Sequence, residues 1–306
     1  MELFDALRAR TSCRAYSSKV PGNKIQIDFL NYINNVPVLL PDADISIELM
    51  AYEDVLNYFP AYADKMIKAP LYLVFRGEMG LYQFMNIGYY AEHASIWLTS
   101  NGLASVWQSG FKLRNVYDDE FFDDIKLDQD YDADSYYQQS KSYENPLLPA
   151  VLALGYPKND DRPKPTRKKK LKNILLSDRS SLNNNTLSLI EAARTAPSEY
   201  NFQPWRFSVE SDNLIHIFMK DSVIFRSKQR QNMRQVSMGC ALGNMAIMAA
   251  LRGIRLDYGF VENLHMPDLN HFQGKNLYYL GTLRLEKVYR QMMFGIDYWF
   301  LLAKCL

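Results

Sequence analysis

Ser198, Asn201 and Gln203 stand within one short stretch, Ala193-Arg194-Thr195-Ala196-Pro197-Ser198-Glu199-Tyr200-Asn201-Phe202-Gln203-Pro204-Trp205. Pro197 follows an amphipathic run, so a helix ends there and a turn begins. A hydroxyl and two amides on one turn offer donors and acceptors to a small polar or heterocyclic ligand. A second chemical cluster, Arg10-Thr11-Ser12-Cys13-Arg14, lies directly after a first helical run. Arginine presents a permanently charged fork that grips phosphate oxygens, and neighbouring hydroxyls fill the remaining acceptors. Two guanidiniums and two hydroxyls so close together suit a phosphate carrying a polyol chain.

The elements that must position these groups come in pairs. Gly88 to Gly102 and Gly239 to Gly253 enclose equal intervals of small and apolar residues, each predicting a buried helix ended by a glycine in the left-handed region. Both continue into a short run ending in Gly-Phe, at Gly110-Phe111 and Gly259-Phe260. The run from Ile27 to Pro37 matches Leu187 to Pro197 in length and apolar spacing. Strand-like runs close each half, at Ala150–Gly155 and Asn276–Gly281. Further strands are expected at Ser46–Tyr52, Leu71–Phe75, Phe207–Glu210 and Leu214–Met219. The chain thus reads as two α+β units of one design, joined near the basic linker Arg162 to Lys172. The expected organisation is a first half over 1–172, a second over 173–290 and an apolar C-terminal arm over 291–306.

Bulk properties exclude several classes. The 306 residues can bury a sizeable core, and a net charge of +1 carries no nucleic-acid footprint. Cys13, Cys240 and Cys305 are too scattered for a disulfide framework, and the four histidines share no ligand spacing with them, so no metal is expected. The first residues begin an amphipathic helix rather than a signal peptide, which makes a cytoplasmic location the expectation. The run Met292 to Leu306 is interrupted by Asp297 and Lys304 and is too short to span a bilayer.

The Ala193–Trp205 stretch resembles the A-R-x-A-P-S-x-x-N-x-Q-P-W signature of FMN-dependent nitroreductases, although that family carries it near the start of the chain. Arg10 to Tyr16 is similar to the R-x-S-x-R-x-F motif that opens those proteins. On this resemblance Arg10, Thr11, Ser12 and Arg14 would bind the FMN phosphate and ribityl chain. Lys65, in Lys65-Met66-Ile67-Lys68-Ala69-Pro70, looks like the lysine beside the flavin pyrimidine. Ser109 and Gly110, in Trp107-Gln108-Ser109-Gly110-Phe111, resemble the loop whose backbone approaches flavin N5. Gly155-Tyr156-Pro157 followed by Arg167 and Lys168 resembles the terminal strand exit with its basic phosphate clamp. Pro197, Ser198, Asn201 and Gln203 would meet the edge of the flavin ring.

Nitroreductases hold each FMN between two subunits, so the resemblance implies a dimer fused into one polypeptide. The fold expected is α+β and nitroreductase-like, with antiparallel-rich sheets flanked by helices. Only one composite site is expected: Val38 and Pro41 stand where the first half would need a serine and an asparagine, and Lys170 to Ile174 lacks the arginines and serine that the second would need. The implied activity is ping-pong reduction of nitroaromatic, quinone or similar flat acceptors by NADH or NADPH through FMN, with no dedicated catalytic acid or base. The alternative is a non-catalytic flavin-binding or sensing protein on the same fold. Fusion makes a monomer the expected state, with a homo-oligomer through Phe294 to Leu302 as the alternative. Tyr117 to Asn145 reads as a solvated loop, and Arg226, Lys228, Arg230 and Arg234 as an exposed basic helix face.

Overall fold

The computed structural model describes residues 1–40, 45–59, 64–77, 82–109, 150–158, 166–178, 182–220, 228–265 and 277–287. Pro41, Gly110, the acidic segment 117–145, Arg226 and the arm 291–306 lie outside them. The first half comprises α1 (Leu3–Ala9), α2 (Asn23–Asn34), β1 (Ser46–Ala51), α3 (Tyr52–Tyr58), β2 (Leu71–Arg76), α4 (Gln83–Ser100), β3 (Ala104–Ser109) and β4 (Ala150–Gly155). The second comprises α5 (Asn184–Thr195), β5 (Trp205–Ser211), β6 (Leu214–Lys220), α6 (Lys228–Leu251), β7 (Ile254–His265) and β8 (Leu277–Lys287). The sheets run β1-β2-β4-β3 and β5-β6-β8-β7, the same order twice. Every pairing in them is antiparallel. The duplicated α+β architecture expected from the glycine spacing is therefore present, and all six expected strands form.

Both long helices stop where the glycines predict. Gly102 (φ 77°) and Gly253 (φ 66°) adopt the left-handed conformation just beyond α4 and α6, which lets the chain reverse into β3 and β7. Helix α4 is buried along its length from Gln83 to Thr99, consistent with its lack of a polar face.

The two long helices cross at a distance that only glycine permits. A Cβ on Gly88 would overlap the carbonyl oxygen of Val236, and one on Gly239 would overlap that of Met85. Met85 precedes Gly88 by the same helical step as Val236 precedes Gly239, so the contact is reciprocal and pseudo-two-fold. One turn further along, a Cβ on Gly243 would lie 3.0 Å from the Tyr89 carbonyl oxygen and 3.3 Å from Cβ of Glu92.

The next position of each helix ties it to its own half. His93 Nδ1 is 3.3 Å from the Tyr32 hydroxyl on α2, and Asn244 Nδ2 donates to Ala192 O (3.2 Å) and Thr195 Oγ1 (3.0 Å) at the end of α5. Burial lowers the His93 pKa to about 3, so its ring is neutral at ordinary pH. Around this crossing one apolar cluster runs through both halves, from Phe29, Tyr32 and Phe75 to Trp205, Ile217 and Leu283. A second cluster, with Tyr16, Val55, Phe59, Tyr72 and Val106, backs the first sheet. Among the described residues no helix is long and apolar enough to cross a membrane.

Replacing Gly239 by alanine forces the helices apart at a backbone-to-backbone contact and should destabilise the chain by about 3 kcal/mol or more. Gly22→Ala, where nothing lies within 4 Å of the added methyl group, should change stability by less than about 0.5 kcal/mol. Urea denaturation of both variants measures the difference.

Candidate functional site

Helix α5 ends because Pro197 cannot extend it; Ala196 is already extended (φ −57°, ψ 150°). The turn that follows is tightly wound. Tyr200 (φ 44°), Asn201 (φ 57°) and Gln203 (φ 52°) all occupy the left-handed region, which costs free energy for a residue with a side chain and persists only where surroundings impose it. The surroundings are visible. Ser198 Oγ accepts from the Gln203 backbone N–H (3.0 Å), and the Glu199 N–H donates to Ser237 Oγ on α6 (3.2 Å). Gln203 is buried, and its Nε2 donates to Asn201 Oδ1 (3.0 Å).

The basic linker from the first half lies on this turn. The Lys169 N–H donates to Gln203 Oε1 (2.7 Å), and Asn201 Nδ2 donates to Arg167 O (2.8 Å). Lys168 Nζ donates to Ala196 O (2.7 Å), and Lys169 Nζ donates to Phe202 O. The Phe202 ring has two cations over it, Lys169 Nζ at 5.1 Å and the Arg234 guanidinium at 5.3 Å from its centroid. Arg234 is buried, 4% exposed, rather than displayed on an outer helix face as its basic surroundings suggest. Packing against Phe202 and the nearby Glu199 charge explain the correction.

Between linker and turn lies a cavity of about 260 Å³ lined by Arg167, Lys168, Lys169, Lys170, Asn173 and Gln203. Its cations are under-compensated. Burial, then Arg10, lowers the Lys168 pKa to about 8 against the opposing pull of Glu92. Burial, then Arg206 and Lys220, does the same to Lys169. Groups whose positive charge is disfavoured by desolvation and by one another gain from an anion placed among them.

The N-terminal cluster takes a different course. Ser12 bridges to Ser105 at the start of β3, the Cys13 N–H donates to Ser105 O (3.0 Å), and Arg14 is exposed. Thr11 and Ser12 are half-buried. Arg10 turns inward, its Nε 3.3 Å from Oε1 of Glu92, a fully buried carboxylate on α4. None of Arg10, Thr11, Ser12, Arg14 or Lys65 lines the cavity. Lys65 is exposed at the head of a segment that folds against β3, where the Ile67 N–H donates to Gln108 Oε1 (2.9 Å). Ser109 ends β3 opposite Ala150. The structure therefore brings Lys168, Pro197, Ser198, Asn201 and Gln203 together with Arg167, and pairs Arg10 instead with Glu92.

Glu92 and Arg206 escaped the sequence reading. The signal for Glu92 was available: a lone carboxylate in an otherwise uncharged helix demands a cationic partner. Arg206 had none, because an arginine alternating with Trp205 and Phe207 looks like the outer face of a strand. Its Nη1 instead caps Gln203 O (3.0 Å) and Trp205 O (2.6 Å).

Residues 2–124 and 132–249 match the family model described as "Putative TM nitroreductase". The chain belongs to that nitroreductase family. A putative nitroreductase from Thermotoga maritima MSB8 shares the fold over 92% of this chain and 93% of its own, with a TM-score of 0.55 and 17% identity. A putative NADH dehydrogenase/NAD(P)H nitroreductase from Bacteroides thetaiotaomicron VPI-5482 aligns with 56% of this chain and 95% of its own, at 19% identity and a TM-score of 0.38. A nitroreductase with bound FMN from Desulfitobacterium hafniense DCB-2 aligns with 54% of this chain and 93% of its own, at 13% identity and a TM-score of 0.38. Among curated proteins the chain finds no match.

Gln203 is the pin between turn and linker. Gln203→Ala removes the acceptor of the Lys169 N–H and a donor to Asn201, at a cost of about 1–3 kcal/mol for the local contact. Trypsin cleavage within Arg167–Lys170 should accelerate by about tenfold or more while global stability changes less; timed digestion read by mass spectrometry checks it.

Proposed function

We propose that this chain is an FMN-dependent NAD(P)H oxidoreductase that reduces flat acceptors such as nitroaromatics or quinones, with one FMN between its halves. The observation that carries the reading is the cationic cavity, built by Arg167 to Lys170 of the first half and Gln203 of the second. Its donor set fits the phosphate of FMN: guanidinium and ammonium groups whose charge lacks a full complement of carboxylates. Family membership supports the rest of the reading.

Arg167, Lys169 and Lys170 would hold the phosphate oxygens. Ser198, Asn201 and Gln203, held on the strained turn, would supply polar atoms to the ring edge. Arg10, Thr11, Ser12, Arg14 and Lys65 do not line this cavity; they, with Ser109 and Gly110, would meet the flavin away from it. When bound, the flavin supplies two-electron exchange between NADH or NADPH and the acceptor. The protein's part is to orient it and to keep the turn rigid, since a preorganised turn needs no reordering when the ligand arrives. The halves meet near residue 172, a monomer suffices for the composite site, and the setting is cytoplasmic.

A non-catalytic flavin binder is the second reading. Asn201 and Gln203 already spend their amides on the linker backbone, and Arg10 is paired with Glu92; these contacts join the halves whether or not a bound flavin turns over.

Purified full-length chain should carry one FMN, quantified by its absorption after release, and should bleach under nitrogen on addition of NADH or NADPH. Lys169→Met should raise the FMN Kd by about tenfold, the worth of one charge-assisted hydrogen bond. A yellow protein that does not bleach favours the binder. Two FMN per chain would overturn the single composite site, and protein that cannot be reconstituted with FMN sinks both readings.

A further inference from the structure

Glu92 is wholly buried on α4, with the Asn244 amide beside its carboxylate. Among the described residues its ion-pair partner is Arg10, with Nε 3.3 Å from Oε1 and a side chain 9% exposed. Its position on α4 corresponds, through the reciprocal glycine contacts, to Gly243 on α6. That glycine leaves the room Glu92 fills, because a Cβ there would come within 3.3 Å of Glu92 Cβ. The seam thus holds a single carboxylate where two-fold symmetry would give two or none.

The charged and titratable groups facing Glu92 come from every neighbouring element. Arg10 follows α1, Lys168 belongs to the linker, and Cys240 lies on α6 with the Asn244 amide beside it. Arg194, at the end of α5, acts on Lys168 in turn and is itself paired with Glu191 (2.6 Å). His93, next along α4, is neutral. Lys168 is the link outward: it lines the cavity, feels the Glu92 charge and donates to Ala196 O at the head of the turn.

We propose that Glu92 is a positioning residue that holds Arg10 at the seam, and that the proton on its buried carboxyl sets how strongly the adjacent cavity, through Lys168, attracts anions. The inference rests on the anion-site part of the function proposed above and not on flavin turnover. When Glu92 is ionised its charge offsets the two cations and weakens the pull on an incoming anion. When it is protonated the cations act without that offset. Burial raises its pKa to about 7 against the pull of Arg10 and Lys168, so the change falls in the physiological range. The sign is fixed: affinity for an anion rises as pH falls through about 7, and Lys168 and Lys169, protonated below about 8, add in the same direction.

Inorganic sulfate is the probe, because its charge is constant over the range. Calorimetric titration of the full chain from pH 6 to 9 should show wild-type affinity falling by about tenfold or more as Glu92 and then Lys168 and Lys169 lose their protons. Glu92→Gln, which keeps the shape, should bind sulfate about as tightly at pH 7.5 as the wild type does at pH 6, with only the limb near pH 8 that Lys168 and Lys169 share remaining. A merely structural role would lower thermal stability and leave the pH profile parallel to wild type, and that result overturns the proposal. Lys168→Met supplies a second test should the first variant fail to fold. It loses the Lys168 share of the limb near pH 8, with Lys169 keeping its own, while the Glu92 limb persists, displaced to higher pH by the missing cation; a profile with no limb removable by adding Glu92→Gln overturns the proposal. Sulfate that binds with an unchanged profile in Glu92→Gln removes the Glu92 inference and leaves the anion site standing. Wild-type protein that binds no sulfate at any pH removes both.

Discussion

The crossing of the two long helices at Gly88 and Gly239 is the constraint on which the rest of the molecule depends. Each glycine sits against a backbone carbonyl of the other helix, so the helices pack main chain to main chain with no side chain between them. Such closeness brings α1 and α5, packed beside the same pair, toward one seam. It also makes the seam part of one apolar cluster rather than a boundary between two. Interiors packed to this density tolerate no local adjustment, and the linker and turn inherit that rigidity through Ser237 of α6 and Glu92 of α4.

Rigidity matters because the seam also buries charge. Glu92 and Lys168 sit where desolvation works against each ionised form, and a buried ion pair such as Arg10 with Glu92 is a weak source of net stability. Its value lies in geometry. Lys168 spends a proton donor on Ala196 O, Arg10 faces Glu92, and the turn from Pro197 to Gln203 is therefore fixed relative to the first half. The left-handed residues Tyr200, Asn201 and Gln203 carry strain that the turn's own bonds from Ser198 and Asn201 offset in part. The linker contacts offset it, which places the unfavourable backbone and the unfavourable cation cluster at the same spot.

Much of the fold was legible in the residues. Glycines at equal spacing marked both long helices and both left-handed stops, and the matched strand runs appear twice in the same sheet order. The turn carrying Ser198, Asn201 and Gln203 was legible too, because Pro197 can only end a helix. Two things were not. That Gly88 and Gly239 touch each other's helices is a tertiary fact, since spacing along one helix says nothing of its partner. That Arg10 faces inward to Glu92 was hidden for a related reason: a guanidinium beside hydroxyls suits a phosphate and a buried carboxylate equally well, and only the fold chooses. Arg234 shows the same limit, because an aromatic ring distant in sequence decides whether a basic residue is exposed or buried.

Duplication explains why the two halves could diverge in chemistry while keeping their frame. The frame is reciprocal: Gly88 against Val236, Gly239 against Met85, and His93 and Asn244 each bonded to their own half's flanking helix. In a homodimer any substitution at the axis is made twice, so a carboxylate there would face its own copy across a few ångströms, and two such charges cannot both remain ionised at low cost. A fused chain escapes that penalty. It can place Glu92 on one helix and leave Gly243 opposite, giving a single buried charge with room to sit and two cations to face. The asymmetry that gives the chain one polar turn, with Ser198 and Asn201 in the second half and an exposed Val38 in the first, extends in this way to the electrostatics of the seam itself.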